Sequence, residues 1–599
     1  MANLSQDELN SGQAVKCSSD FVNEYPWKDD KDTEYAGTFE DPNIWLVSFP
    51  TLFPYGEGGI ESSQPWKLSM LSHVRWALQY HDKWFWNHLH FMFQAFGVLQ
   101  KRQVASSTGL QIQWRDFMNH EEEIQALKPS DLLNAAKEEA RSIPFTNSAI
   151  RDLRKHVSAI RTKVMGTNES RIKIRGQIWS TTAIWGPPSL WITINPLDTN
   201  DPIAQVFTGS DIDLDHFVDT DGPDRELRAR TIASDPYGTS EFFHFIINTV
   251  LEELMGIKRT SGHRQKINRK EGIFGQVANY IGTVEAQGRG TLHFHTIVWL
   301  EGAPTVERMK ELLLTESFQE KVAEFIKVNI KGDVDGLQTG NITNLTWSKD
   351  VSYSWPLDPR QTNYAVEQPA VEQRLVRALQ IHQCTKEACL VLKKTGYCCK
   401  QNAPFEVSSV DYIDVHRKWA PKRTYGFINN WSPTIMHCMR SNHDIKLILN
   451  GTETKDISWY IMNYMAKKQQ DSSNVSVLFA KRIAYHRKEE KNNSDLRQIN
   501  KRLMQRCANT LSWEQEFSTP EVVAYLAGHG DRKLSAFYTI INLGSIGARL
   551  NRAFPHLRQK RWAWYCVYIR CILRHYRHGQ TGTVNNSPAV DDEENVCMF

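Results

Sequence analysis

Apolar and polar positions alternate between two rhythms along this chain. SLWITINP, Ser189 to Pro196, is a short apolar run rich in β-branched residues and closed by proline, the pattern of a buried strand. Gly275 to Gln287 and Thr291 to Leu300 are two further strand-like runs on either side of a Gly-Arg-Gly sequence, Gly288 to Gly290, and together they predict a hairpin. Elsewhere the spacing is helical. WALQYHDKWFWNHLHFMFQAF, Trp76 to Phe96, has helical length with apolar residues on most faces and predicts a buried helix. Leu127 to Val164 reads as charged amphipathic helices with Ser130-Asp131 as an N-cap region. Helices are also predicted over Glu241 to Leu254, Val306 to Val328, Lys455 to Gln470 and Pro520 to Leu526, and Asp531 to Phe554 continues a helical C-terminal region.

The 599 residues suffice for several cores. The pattern divides them into a loose polar N-terminus (1–41), an aromatic-rich helical region (42–170), a strand-containing region (171–480), a helical basic region (481–578) and a polar, acidic tail (579–599) expected to be disordered. A net charge of +3 does not by itself announce a nucleic-acid binder. Basic residues gather in Lys258 to Lys270 and His556 to His578, though such runs are more often solvated surface than phosphate sites. The most apolar C-terminal stretch, Trp562 to Leu573, is short and interrupted by Arg570, so no membrane span is predicted. The sequence MANLSQDELN lacks the pattern of a signal peptide. The chain is therefore expected to be intracellular. Of its ten cysteines, four fall between Cys384 and Cys399, which in a reducing compartment suggests metal rather than disulfides.

His293 and His295 are two apart on the return strand of the predicted hairpin, so their imidazoles share a face while Phe294 points into the core. A bare His-x-His is more often a hydrogen-bonded core pair than a metal site. Here Glu285 and Gln287 share one face of the preceding strand, and the hairpin brings that face alongside the histidines. Two imidazoles with a carboxylate or amide oxygen suit a divalent cation with open positions, manganese or magnesium. Glu285 is the first choice for third ligand and Gln287 the second, and the site is expected to face solvent.

EAQGRGTLHFH resembles the HUH metal motif of the rolling-circle replication initiator (Rep) domain of Helitron transposons. LWITINPLDTNDPIAQVF resembles the first Rep strand motif of fungal elements of this type. SDPYGTSEFFHFIINTVLEELMGI resembles the helix before the metal motif, and PTLFPYGEGG their N-terminal region, so the resemblance runs from about Pro42 to Gln559. It implies an α+β fold over 171–480: an HUH-type antiparallel sheet flanked by helices, with the histidines on a central strand. It also implies a nucleophile. In DISWYIMNYMAKKQQ, Tyr460 and Tyr464 stand one helical turn apart. An isolated Tyr-x-x-x-Tyr is usually core packing, but this one resembles the paired-tyrosine motif of Helitron Rep domains. Lys467 or Lys468 extends the same face and would bind phosphate or lower the phenol's pKa. The implied activity is metal-dependent nicking and strand transfer on single-stranded DNA at transposon ends, through a 5′-phosphotyrosine, in the nucleus.

IHQCTKEACLVLKKTGYCC supplies His382, Cys384, Cys389, Cys398 and Cys399 as possible ligands of a structural zinc in a small insert. The spacing is not that of a standard finger. Helitron Rep proteins carry a His/Cys run before a CRFGFP-like segment, whereas this chain has CCKQNAPF. A full Helitron transposase also carries a helicase. A phosphate loop requires Gly-Lys, and no Gly-Lys dipeptide occurs here, so the expectation is a Rep portion without its motor, relying on a helicase in trans. Two rivals stand beside the enzyme: a decayed transposon remnant that binds single-stranded DNA through basic and aromatic residues without cutting it, and an interaction protein stabilised by zinc.

Overall fold

The computed structural model describes residues 15–16, 43–62, 68–111, 117, 120–259, 267–286, 290–335, 349–385, 389–393, 396–449, 465, 474–489 and 496–538. The chain is α+β, with an antiparallel sheet among many helices. The N-terminal part is helical. Helix α1 (Met70–Leu78) opens on Ser69, whose side chain accepts from the Ser72 amide. Helix α2 is Leu89–Gln111 and α3 is Ser148–Arg161. The single helix expected over Trp76 to Phe96 is therefore broken. The polar stretch Gln79 to Lys83 ends α1, Lys83 takes a positive φ of 61°, and its Nζ lies 3.3 Å from Asp235. Asp131 is not an N-cap but the third residue of helix Pro129–Ala140, where it accepts from the Lys128 amide at 2.8 Å. On α3 the buried Ile150, Leu153, Val157 and Ile160 follow the 3–4 spacing of an amphipathic helix.

Helix α4 (Asn168–Trp185) leads into β1 (Leu190–Asn195). Helix α5 (Pro236–Thr249) precedes the predicted hairpin, formed by β2 (Gly275–Ala286) and β3 (Leu292–Leu300). Val306 to Val328 is two helices rather than one, Val306–Leu312 and α6 (Glu316–Asn329). Helix α7 (Tyr364–Leu379) is followed by a short hairpin, β4 (Leu390–Lys393) and β5 (Gly396–Cys399). After β6 (Asn442–Leu447) come α8 (Val475–Glu489), α9 (Leu496–Trp513) and α10 (Thr519–Ala527). The helix expected from Asp531 begins instead as β7 (Arg532–Leu534), which pairs with the edge of β2. Backbone pairing with an open strand edge overrides local helical pattern there. The remainder of that stretch, from 539, lies outside the described residues, as do all but Met465 of the helix predicted over Lys455 to Gln470.

The main sheet runs β6-β1-β3-β2-β7, every neighbour antiparallel, which puts β3 and its histidines at the centre. Its two faces follow from period-two alternation. On one, Ile192, Ile194, Val284, Phe294 and Ile445 meet Phe242, Phe243, Ile246 and Ile247 of α5. Gly282 makes this possible, because a Cβ there would lie 2.3 Å from the Phe294 ring. On the other, Trp191, Ile281, Ile297 and Trp299 pack against Ile174 and Ile178 of α4 and against Met465. Helices α8 and α9 close a core with α3, and α10 packs Val522, Val523, Tyr525 and Leu526 into the aromatic core around Trp45, Phe91 and Phe96. No described helix is long and apolar enough to cross a membrane.

Candidate metal centre

The register of β2 on β3 sets Glu285 opposite His293 and Thr283 opposite His295. The hairpin therefore brings the carboxylate to the imidazoles, on the face away from Phe294. The two Nε2 atoms lie 2.6 Å apart, and Glu285 Oε2 lies 3.9 Å from His295 Nε2. One ligand atom from each of the three residues falls within 4.8 Å of the others. Two ring nitrogens this close repel unless a proton or a cation lies between them. That donor set fits a divalent ion with open positions. Gln287, the other candidate ligand, lies outside the described residues.

The site is not open to solvent as expected. His293 is 7% exposed and His295 2%. Trp191 on β1 stacks on His295 with ring centroids 5.2 Å apart, and α4 covers the same face. Behind the rings, Thr193 Oγ1 lies 2.9 Å from His295 Nδ1, and His293 Nδ1 bonds Asn195 Oδ1. Hydrogen bonds of this kind orient imidazole ligands and select the free nitrogen. Sequence reasoning missed these three residues. The signal was present in WITIN, since Trp191, Thr193 and Asn195 alternate on one strand and so share a face.

Beside Glu285 a cleft is lined by Arg171, Thr283, Val284, Met465, Asp531 and Arg532. Arg171 is nearly buried and pairs with Glu521 and, at 3.7 Å, with Asp531. Burial alone would pull the guanidinium's pKa down, but these carboxylates hold it above its ordinary value. Met465 comes from the tyrosine segment and is 2% exposed on the histidine face. Tyr460, Tyr464, Lys467 and Lys468 lie outside the described residues.

Of the five possible zinc ligands, four converge. Atoms of His382, Cys384, Cys389 and Cys399 lie within 4.8 Å of one another, with Cys399 Sγ at 3.2 Å and Cys389 Sγ at 3.5 Å from His382 Nε2. Cys398 is not among them. Neighbours on a strand face opposite sides, and its thiol turns to the Gly396 carbonyl. Desolvation and the adjacent Cys399 and Cys389 push Cys384 up to about 12. Desolvation also acts to raise Cys399, but the Ala403 and Gln401 amides draw it below the usual thiol range. Burial lowers the pKa of His382, leaving its ring neutral and able to ligate. A Cys3His set of this kind fits a closed, tetrahedral structural site.

Residues 73–298 match the family model of the Helitron helicase-like domain at N-terminus. The chain thus carries a Helitron helicase-like N-terminal domain. The matched span takes in Glu285, His293 and His295 and ends before the Cys/His quartet and the tyrosine segment. No curated protein matches the chain.

Proposed function

We propose that this chain is the nicking and strand-transfer component of a Helitron-type rolling-circle element, an HUH-type endonuclease acting on single-stranded DNA. The observation that carries this reading is the Glu285/His293/His295 cluster, with both histidines buried, at the centre of an antiparallel sheet. Met465, the residue after Tyr464, packs on the same face and lines the cleft beside Glu285. A divalent ion, manganese or magnesium, held by the three residues would polarise the scissile phosphate and neutralise charge developing on it. The chain's own groups do the rest. Tyr460 or Tyr464 loses its phenolic proton and attacks phosphorus. The phosphorus–O3′ bond breaks, the 3′ oxygen takes up a proton, and the 5′ phosphate stays on the tyrosine. Lys467 or Lys468 would bind the phosphate or lower the pKa of the phenol, which near ~10 is a poor nucleophile at neutral pH. The energy of the phosphodiester is kept in the phosphotyrosine, so rejoining needs no ATP. The Cys3His quartet would hold a structural zinc, and the element's DNA would be met in the nucleus.

The test is incubation of the full chain with a 3′-labelled single-stranded oligonucleotide and manganese, followed by a denaturing gel. The expected result is a labelled protein adduct in wild type that is lost in Tyr460→Phe/Tyr464→Phe, a change that preserves volume and should barely alter stability. An oligonucleotide that binds but is never cut returns the chain to the reading of a binding remnant. An adduct that survives the double substitution overturns the nucleophile assignment.

A further inference from the structure

The hydrogen bonds behind His293 run in one direction. The Leu379 carbonyl, at the end of α7, can only accept, and it takes a bond from Asn442 Nδ2 at 2.8 Å. With its amino group so engaged, Asn442 presents Oδ1 to Asn195, whose Nδ2 donates to it at 2.9 Å. Asn195 then presents Oδ1 to His293 Nδ1. Two amides in series transmit the polarity of a backbone carbonyl to an imidazole. His293 Nδ1 has to carry the proton, so in the neutral ring Nε2 carries the lone pair. That Nε2 is the atom facing His295 and Glu285. The relay is built on rigid elements, because Asn442 and Asn195 are register partners across β6 and β1.

His295 is set differently. Its Nδ1 faces a hydroxyl, Thr193 Oγ1, which can donate or accept. Because His293 Nε2 is a lone pair, the 2.6 Å contact needs the proton of His295 Nε2, and His295 Nδ1 then accepts from Thr193. For His295 to offer Nε2 to a cation, that proton has to move to Nδ1, and the Thr193 hydroxyl rotates to accept it. The proton stays on the ring, so none is released.

We infer that Asn195 and Asn442 are positioning residues that lock His293 in its Nδ1–H tautomer, and that Thr193 is the rotor that lets His295 change tautomer as a divalent ion enters. The inference rests on the reading of Glu285, His293 and His295 as ligands. Its test is titration of the full chain with manganese alone, followed by electron paramagnetic resonance, with His293→Ala/His295→Ala marking binding elsewhere. Asn195→Leu and Asn442→Leu weaken manganese binding about 10- to 100-fold, and Thr193→Val about tenfold, the usual scale for partners behind a ligand. Asn195→Asp keeps an acceptor for His293 and binds within about threefold of wild type, a rescue that a merely structural role would not give. If Asn195→Leu does not fold, Asn442→Leu carries the test, because it removes the acceptor that orients the Asn195 amide from the far end of the relay. Wild-type affinity in the Leu variants overturns the inference. So does an Asn195→Asp loss as large as that of Asn195→Leu. Wild-type affinity in the double histidine variant overturns the metal reading itself, and the inference with it.

Discussion

His443 is a fully buried imidazole next to the relay. The Ser432 amide donates to its Nε2 at 2.8 Å, and its Nδ1 lies 3.1 Å from the Ser441 carbonyl, which can only accept. The ring is thus satisfied when neutral, and burial lowers its pKa to about 4. An unfolded histidine titrates near ~6.5. Between these two values the unfolded chain binds a proton that the folded chain refuses, so stability falls as pH falls. The full window is worth roughly 3 kcal/mol. Asp198 and Asp201, which burial pushes up to about 6, act in the opposite sense over much of the same range. The useful measurement is therefore a difference. Denaturant unfolding at pH 7 and pH 4 should show wild type losing about 3 kcal/mol more than His443→Gln, which keeps an acceptor for Ser432. Parallel pH profiles for the two proteins would rule out this account of His443.

At the scale of elements, what was legible depended on whether a local period decided the structure. The β2–β3 hairpin was readable because period two, a Gly-rich connection and β-branched residues all agree, and the face it assigns to Glu285, His293 and His295 is the one observed. Trp76 to Phe96 misled because aromatic density masked the polar break that Lys83 makes. The strand β7 was not legible, because its extended form comes from pairing with β2, more than 200 residues earlier in the chain. The Cys/His segment was half legible. Its residues are the right types, but choosing between Cys398 and Cys399 requires knowing which side of β5 faces His382. That choice gives a direct prediction. A hairpin of two four-residue strands is marginal alone, so β4–β5 needs the quartet to hold it. Cys399→Ser should lower the zinc content of purified protein, measured by plasma mass spectrometry, and raise amide hydrogen exchange across 389–403. Cys398→Ser should do neither. Equal zinc loss in both variants would overturn the assignment of Cys399 over Cys398 as the ligand.

At the scale of the whole molecule, residues 519–534 tie the helical N-terminal core to the sheet. Helix α10 fills the aromatic core, β7 closes the edge of β2, and the Asp531 carbonyl accepts from the Val284 amide at 2.9 Å, one residue before Glu285. Glu521 of α10 pairs with Arg171 of α4, and both are under a tenth exposed. This pair therefore joins the C-terminal strap, the helix that covers the histidine face and the cleft in which Arg171 and Asp531 both stand. Removing one partner of a buried pair leaves the other charge without full compensation and costs about 3–5 kcal/mol, whereas replacing both with apolar groups costs far less. Glu521→Ala should therefore lower the denaturant midpoint strongly, and Arg171→Met/Glu521→Leu should recover much of the loss. A strap that only packed against the surface would show the two variants equally mild. If the strap joins the two parts, near-ultraviolet circular dichroism of the aromatic core and hydrogen exchange of β2 and β3 should report one shifted transition in Glu521→Ala. A shift in one probe alone would show that the N-terminal core and the sheet unfold independently, and that residues 519–534 do not couple them.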